Sequence, residues 1–144
     1  MNRATLKMRD FAGLLVAHDA RETGASGAPF GSFSVPEKLR PHLTDLMGDG
    51  GYRALLLRSL VMAIPEVPPL QATHVSADGR LEGFDSLETG IDPEAIVEGR
   101  VIVVAQLIGL LVAFIGEKLT LQLVREVWPK LDTEDLNLKK GDRI

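Results

Sequence analysis

The chain has 144 residues, of which 45% are hydrophobic and 25% charged, and its formal net charge is −4. These proportions are those of an ordinary globular domain that buries a core without covalent cross-links. The negative charge and the lack of a basic face argue against nucleic-acid binding, which depends on neutralising phosphates. The sequence contains no cysteine, which excludes disulfides, thiolate catalysis and cysteine-based zinc sites, and a cytoplasmic location is the simplest expectation.

The first predicted element is an amphipathic helix over residues 4–21. Apolar residues recur at helical spacing and form one stripe: Ala4, Met8, Phe11 and Leu15. The charged residues are expected on the exposed side: Lys7, Asp10, Asp19 and Arg21. Residues 23–33 are rich in glycine, alanine and small polar side chains, which is typical of a flexible linker. A helix on such a tether can pack on its own chain or on a second copy.

Prolines and glycines divide the next stretch. Residues 34–37 have the form of a capping box, which predicts a short helical turn over residues 35–40. We expect Pro41 to interrupt this turn, because proline lacks an N–H and clashes with the preceding turn. A fresh helix is therefore predicted over residues 41–47, and the glycine-rich residues 48–51 end it.

A second apolar helix is predicted over residues 52–64, stopped by Pro65. Its apolar character suggests burial on most sides against the central helix described below. Arg53 and Arg58 are its most suggestive residues, because charges rarely lie in an apolar helix without partners. They lie about 140° apart on the helix, so they cannot both face one pocket squarely. Each either reaches solvent or an acid of the segment 82–98, or contacts an anion or an acidic partner.

One small β-hairpin is predicted over residues 70–84. Asp78 and Gly79 suit a two-residue type I′ turn, with arms over residues 72–76 and 80–84. A two-stranded hairpin is marginal in water by itself, so it must pack on the helices or on another chain.

The most apolar run, Val101–Ile115, lies within a single long helix predicted over about residues 93–128. Pro93 follows the capping acceptor Asp92 and suits the first helical position. Pro129 cannot continue the helix. We therefore predict a mainly α fold, a compact bundle of four to five helices around this central hydrophobic helix.

The central helix does not have the composition of an ordinary membrane span. Its strictly uncharged run, residues 101–116, is about 24 Å long, shorter than a hydrocarbon core of about 30 Å. Extending the run brings in charged residues on both sides: Glu98, Arg100, Glu117 and Lys118. The buried core of a soluble protein is favoured, and membrane association stays an alternative.

Small and polar residues follow a heptad-like line on the predicted helix: Gly99, Gln106, Gly109, Ala113, Gly116 and Thr120. Each glycine costs a helix about 1 kcal/mol relative to alanine, so we interpret the line as a place where another backbone approaches closely. Either the helix over 52–64 lies in this groove, or two copies of the chain cross there. In the second case Gln106 is expected to pair with its symmetry mate and fix the register. The predicted interaction residues are Gln106, Gly109, Ala113 and Gly116.

The sequence shows no pattern of a catalytic or metal-binding site. Its histidines are scattered, and each has one acid three or four residues downstream, which is too few ligands for a metal: His18, His42 and His74. We predict no catalytic residue, no metal and no cofactor, and an enzyme is the less favoured interpretation.

We therefore predict a single helical domain over residues 1–128, followed by a polar, partly disordered tail over residues 129–144. The favoured function is a small non-enzymatic protein–protein interaction or regulatory module that dimerises through its central helix and engages another protein. One alternative is a small-molecule or anion-binding protein, or an enzyme, with a pocket near Arg53, Arg58 and His74. A second alternative is a membrane-associated small protein.

Overall fold

A computed structural model describes residues 6–22, 35–77, 79, 81–82 and 93–129. The described chain is mainly helical, which confirms the predicted fold class. Its α-helices are α1 (Leu6–Glu22), α2 (Val35–Ala63), α3 (Pro93–Ile115) and α4 (Glu117–Val127). A 3₁₀ helix (Pro68–Ala72) and a short antiparallel pair of strands, β1 (His74–Val75) and β2 (Leu81–Glu82), connect α2 to α3. The predicted linker over 23–33 and the tail beyond Pro129 lie outside the described residues.

The middle helix α3 is the centre of the fold. Both α1 and α2 pack mainly on it, and α4 packs on α3 and α2. Residues 102–108 are buried without interruption, so α3 is covered on more than one side at this level. The largest fully buried side chains surround it: Phe11, Leu15, Leu39, Leu43, Tyr52, Leu56, Leu70 and Trp128. The apolar run that the sequence places at the centre does lie there.

The predicted single helix over 93–128 is wrong, because the chain breaks at Gly116 into α3 and α4. Gly116 has φ 89° and ψ 159°, a backbone conformation that residues with a side chain rarely adopt. Its N–H donates to the Val112 carbonyl at 3.0 Å and closes α3. Its own carbonyl accepts from the N–H and the hydroxyl of Thr120 at 3.1 and 2.7 Å and opens α4. The outer limits agree with the sequence, since α3 begins at Pro93 and α4 ends one residue before Trp128.

The predicted interruption at Pro41 is also wrong. Helix α2 runs through Pro41 and is kinked instead at Gly48, where φ is 79°. Proline removes the hydrogen bond to the carbonyl of Glu37, four residues earlier. Both Glu37 and Pro41 are exposed, so water can satisfy that carbonyl and the helix continues. The glycine-rich boundary after Met47 is correct, because Gly48 has the non-helical angles φ 79° and ψ 167° and two helical segments of α2 meet there.

Tyr52 joins the two halves of α2 across this kink. Its hydroxyl is buried and donates to the Pro36 carbonyl at 3.0 Å. The Arg40 guanidinium lies 5.9 Å from the centre of its ring. Burial raises the pKa of Tyr52 well above its ordinary value, and the nearby Glu37 carboxylate acts in the same direction.

The second half of α2 is buried on one face rather than on most sides. Its inward residues are Tyr52, Leu55, Leu56, Ser59, Leu60 and Ala63. Its outward residues are exposed: Ala54, Leu57, Arg58 and Val61. The two sets alternate with the period of an α-helix, so a nearly continuous apolar sequence has only one packed side.

The hairpin is present but shorter than predicted, and its turn differs. The strands pair His74 with Glu82 and Val75 with Leu81, which is the register of a loop with an odd number of residues. Gly79 has φ 82° and donates its N–H to the Ser76 carbonyl at 3.0 Å. Gly79 therefore has the left-handed backbone conformation that was predicted, but the turn is longer than two residues. Ala72, predicted in the first arm, belongs to the 3₁₀ helix.

Candidate functional site

The line of small residues on α3 divides into a covered part and an open part. A Cβ atom added to Gly99 would lie 3.0 Å from Cδ2 of Leu70, so Gly99 allows the 3₁₀ helix to approach α3. A Cβ atom added to Gly109 or Gly116 would meet none of the described residues within 4 Å. Ala113, between these two glycines, is exposed. The interpretation in which the helix over 52–64 fills this groove therefore fails at Gly109.

Apolar side chains surround the open part. Phe114 has 66% of its surface exposed, and Leu110, one turn before it, is half-buried. Gly109 and Ala113 lie beside this pair on the same side of the helix, because residues four apart share a face. We call Gly109, Leu110, Ala113 and Phe114 the open face of α3.

Gln106, predicted as an interface residue, lies inside its own chain with 4% of its surface exposed. Its amide Nε2 donates to Glu66 Oε2 at 2.9 Å. Arg9 Nη2 of α1 donates to the other carboxylate oxygen, Oε1, at 2.7 Å. The Glu66 side chain is only 5% exposed, so one buried carboxylate joins α1, the turn after α2, and α3. We call this arrangement the Glu66 clamp.

A second buried carboxylate holds the other end of α1. Trp128 Nε1 donates to Asp19 Oδ1 at 3.1 Å, and Lys38 Nζ lies 2.5 Å from the same oxygen. The Asp19 side chain is 3% exposed, so the prediction that it faces solvent is wrong. Sequence spacing could have predicted this burial, since Asp19 follows Phe11 and Leu15 at steps of four and lies on the same face of the helix. We call Asp19, Lys38 and Trp128 the Asp19 clamp.

The residues of the alternative pocket have separate roles. Arg53 Nε donates to the Ser76 carbonyl at 2.8 Å and holds the hairpin against α2. His74 Nε2 lies 3.1 Å from Glu82 Oε1 across the two strands, and both side chains are exposed. Arg58 lies on the exposed side of α2. The structure thus brings Arg53 near the hairpin of His74 but does not bring Arg58 to the same contacts.

His42 and His74 lie near acids other than those that sequence spacing suggested. His42 Nδ1 lies 3.7 Å from Glu126 Oε1, which joins α2 to α4. Within the described part of the chain, no group of three or more histidine, aspartate or glutamate side chains is arranged to hold a metal ion.

By length and composition alone, α3 is able to cross a membrane. The window Val97–Ile115 spans 19 residues with a mean hydropathy of 2.0, and half of it is buried inside the fold. The core helix of a soluble protein has the same properties, so the window by itself does not decide between water and lipid.

A scan of protein-family models and searches of curated proteins and of solved structures each found no match. The geometry of the described residues is therefore the basis for a proposal about function.

Proposed function

We propose that this protein is a small non-enzymatic helical interaction module, and that it self-associates when two copies of α3 cross at their open faces. The observation that carries the proposal is the open space at Gly109. No contact within the described chain requires a glycine there, because an added Cβ atom would meet nothing within 4 Å. Glycine at that helical position costs about 1 kcal/mol relative to alanine.

The surroundings of Gly109 are those of a helix–helix contact. An apolar helix is normally covered on all sides, but the open face of α3 leaves Phe114 two-thirds exposed. A small residue lets a second backbone approach closely, and the flanking Leu110 and Phe114 supply apolar surface to bury. A two-fold arrangement is the simplest, because it covers the same patch on both copies.

Two substitutions of one glycine separate this contact from the fold. Both Gly109→Ala and Gly109→Leu replace glycine with a good helix former, and a Cβ atom at this position meets no described residue within 4 Å in the monomer. Each variant should therefore be slightly more stable than the original chain in dilute solution. Only leucine projects far enough to keep a second helix away.

The measurement is the weight-average mass over a range of concentrations, by sedimentation or light scattering. We expect dimerisation in the original chain, and we expect Gly109→Leu to raise the dissociation constant by at least about tenfold, which is about 1.4 kcal/mol. The alanine variant should keep most of the association. A chain that stays monomeric at all concentrations, or equal masses for the two variants, would refute the proposal.

Membrane association is the second candidate, and the apolar window Val97–Ile115 favours it. The exposed Phe114 is then a lipid contact instead of a protein contact. Partition decides between the two, since a protein that stays in the soluble fraction without detergent and does not bind vesicles of neutral or anionic phospholipid has no lipid-facing α3.

A further inference from the structure

We infer that α1 is a detachable cover of α3, which the Glu66 and Asp19 clamps hold in place, and that its release enlarges the association surface. This inference rests on the proposed function and assigns a means of control to the same helix. The observations that lead to it are the composition of the α1 contact, its charge, and its position on α3.

Both apolar and polar side chains hold the described part of α1. Among the described side chains of residues 9–19, the buried apolar ones are Phe11, Ala12 and Leu15, with Val16 partly buried. Each ordered residue loses conformational freedom, so the polar contacts of α1 add to these buried side chains in fixing the helix on α3.

Those polar contacts lie near the two ends of the described part of α1. Arg9 binds Glu66 at one end, and Asp19 binds Lys38 and Trp128 at the other. In both pairs the carboxylate is buried, whereas the Arg9 and Lys38 side chains are 35% and 31% exposed. A buried carboxylate without its cation is costly, although the pair itself gains little net stability. The clamps therefore fix where α1 docks, and neutralising them should loosen it.

One polar atom of the Glu66 clamp lacks a hydrogen bond when α1 is packed on α3. Nε of Arg9 is buried and has no hydrogen-bond partner among the described residues. A buried donor without an acceptor costs free energy that release into water would restore. This cost makes the closed state easier to leave than a fully bonded contact would be.

Release of α1 would change the contacts of α3. Helix α1 packs mainly on α3 and only slightly on α2, so α2 and α4 keep their own direct contacts with α3 when it leaves. When α1 leaves, Gln106 loses the clamp that joins it to α1 through Glu66. Gln106 is three residues before Gly109, and Arg9 reaches it through Glu66, so this end of α1 lies near the end of the open face.

The cysteine-free sequence permits a direct test of release. Ala12 in α1 and Ala63 in α2 are both fully buried, so Ala12→Cys and Ala63→Cys make two full-length proteins with one buried thiol each. The rate at which a thiol reagent modifies position 12 measures the opening of α1. The rate at position 63 measures unfolding of the α2–α3 core.

We expect the thiol at position 12 to react at least about ten times faster than the thiol at position 63, because α1 opens without global unfolding. Asp19→Asn should accelerate the reaction at position 12 and leave the reaction at position 63 unchanged. Glu66→Gln also alters the contact with Gln106 of the core, so it should accelerate the reaction at position 12 more than the reaction at position 63. Asp45→Asn, which changes an exposed acid on α2, should accelerate neither. Equal rates at the two sites, or equal acceleration at both, would show that α1 unfolds only with the core and would overturn the inference.

A second readout uses the chain without introduced cysteines. Trp128 is the one tryptophan of the sequence and contacts the Asp19 end of α1. If α1 leaves as a unit, Glu66→Gln at the other end changes the fluorescence of Trp128 while the helix content of the core is retained. An unchanged spectrum would contradict release as a unit.

Dimer dissociation constants of variants test this inference separately from the proposed function. Glu66→Gln should lower the dimer dissociation constant by about fivefold or more, and Gly109→Leu in the same chain should reverse that gain. Release of α1 without tighter association in a chain that dimerises would overturn the covering role. If neither the original chain nor the Glu66→Gln variant dimerises, the proposed function is wrong, and so is the role of α1 in covering an association surface. The thiol reaction rates at positions 12 and 63 still decide whether α1 detaches.

Discussion

At the residue scale, one buried hydroxyl reports on the integrity of the fold. Tyr52 is the one tyrosine of the sequence, and its hydroxyl bonds the Pro36 carbonyl across the kink of α2. Burial raises the pKa of Tyr52 above its ordinary value. Ionisation therefore cannot occur easily without breaking this contact.

The raised pKa of Tyr52 predicts a loss of stability in alkaline solution. In the unfolded chain the phenol ionises near pH 10, whereas in the fold it stays protonated at that pH. The stabilisation is complete below about pH 10 and is lost as the pH rises above it. Denaturant unfolding at several pH values should show this decline, and Tyr52→Phe should reduce it. Tyrosinate absorbance that appears near pH 10 with the fold intact would contradict the prediction.

At the element scale, two glycines of the same line have different roles. Gly109 is helical and lies beside open space, whereas Gly116 ends α3 with a positive φ of 89°. The sequence predicted a close helix–helix approach at both glycines, because composition and spacing do not reveal a backbone angle. At Pro41 the sequence predicted a break that does not occur. The helix continues because the carbonyl of Glu37, which loses its hydrogen bond, lies at an exposed position where water can bind it.

Replacement of Gly116 should destabilise the protein. An added Cβ atom meets no neighbour within 4 Å in the described part of the chain, so the cost of Gly116→Ala comes from the backbone and should be about 1–3 kcal/mol. Gly109→Ala is the matched control and should raise the free energy of unfolding by up to about 1 kcal/mol. Thermal and denaturant unfolding of dilute samples gives both values. A Gly116→Ala variant as stable as the original would show that packing does not impose the break.

At the scale of the whole molecule, the sequence predicted the fold class and the central position of Val101–Ile115 because apolar patterning determines both. The predicted interaction residues Gly109 and Ala113 lie on the open face of α3, and their role in an interface stays a prediction. The sequence did not predict that Gln106 is enclosed, because its partner Glu66 is 40 residues away in the chain. It also missed the contact of Asp19 with Trp128, a separation of 109 residues. Long-range polar pairs leave no periodic trace in a single sequence.

The central claim is that a second copy covers the open face of α3. Ala113 lies on that face and Ala54 lies on the outward side of α2, and both are exposed. Single-cysteine variants at these positions can be oxidised in dilute solution and the covalent dimer measured over time. We predict that Ala113→Cys forms the disulfide-linked dimer much faster than Ala54→Cys, because association brings the two copies of position 113 together. Equal rates at the two positions would contradict the claim.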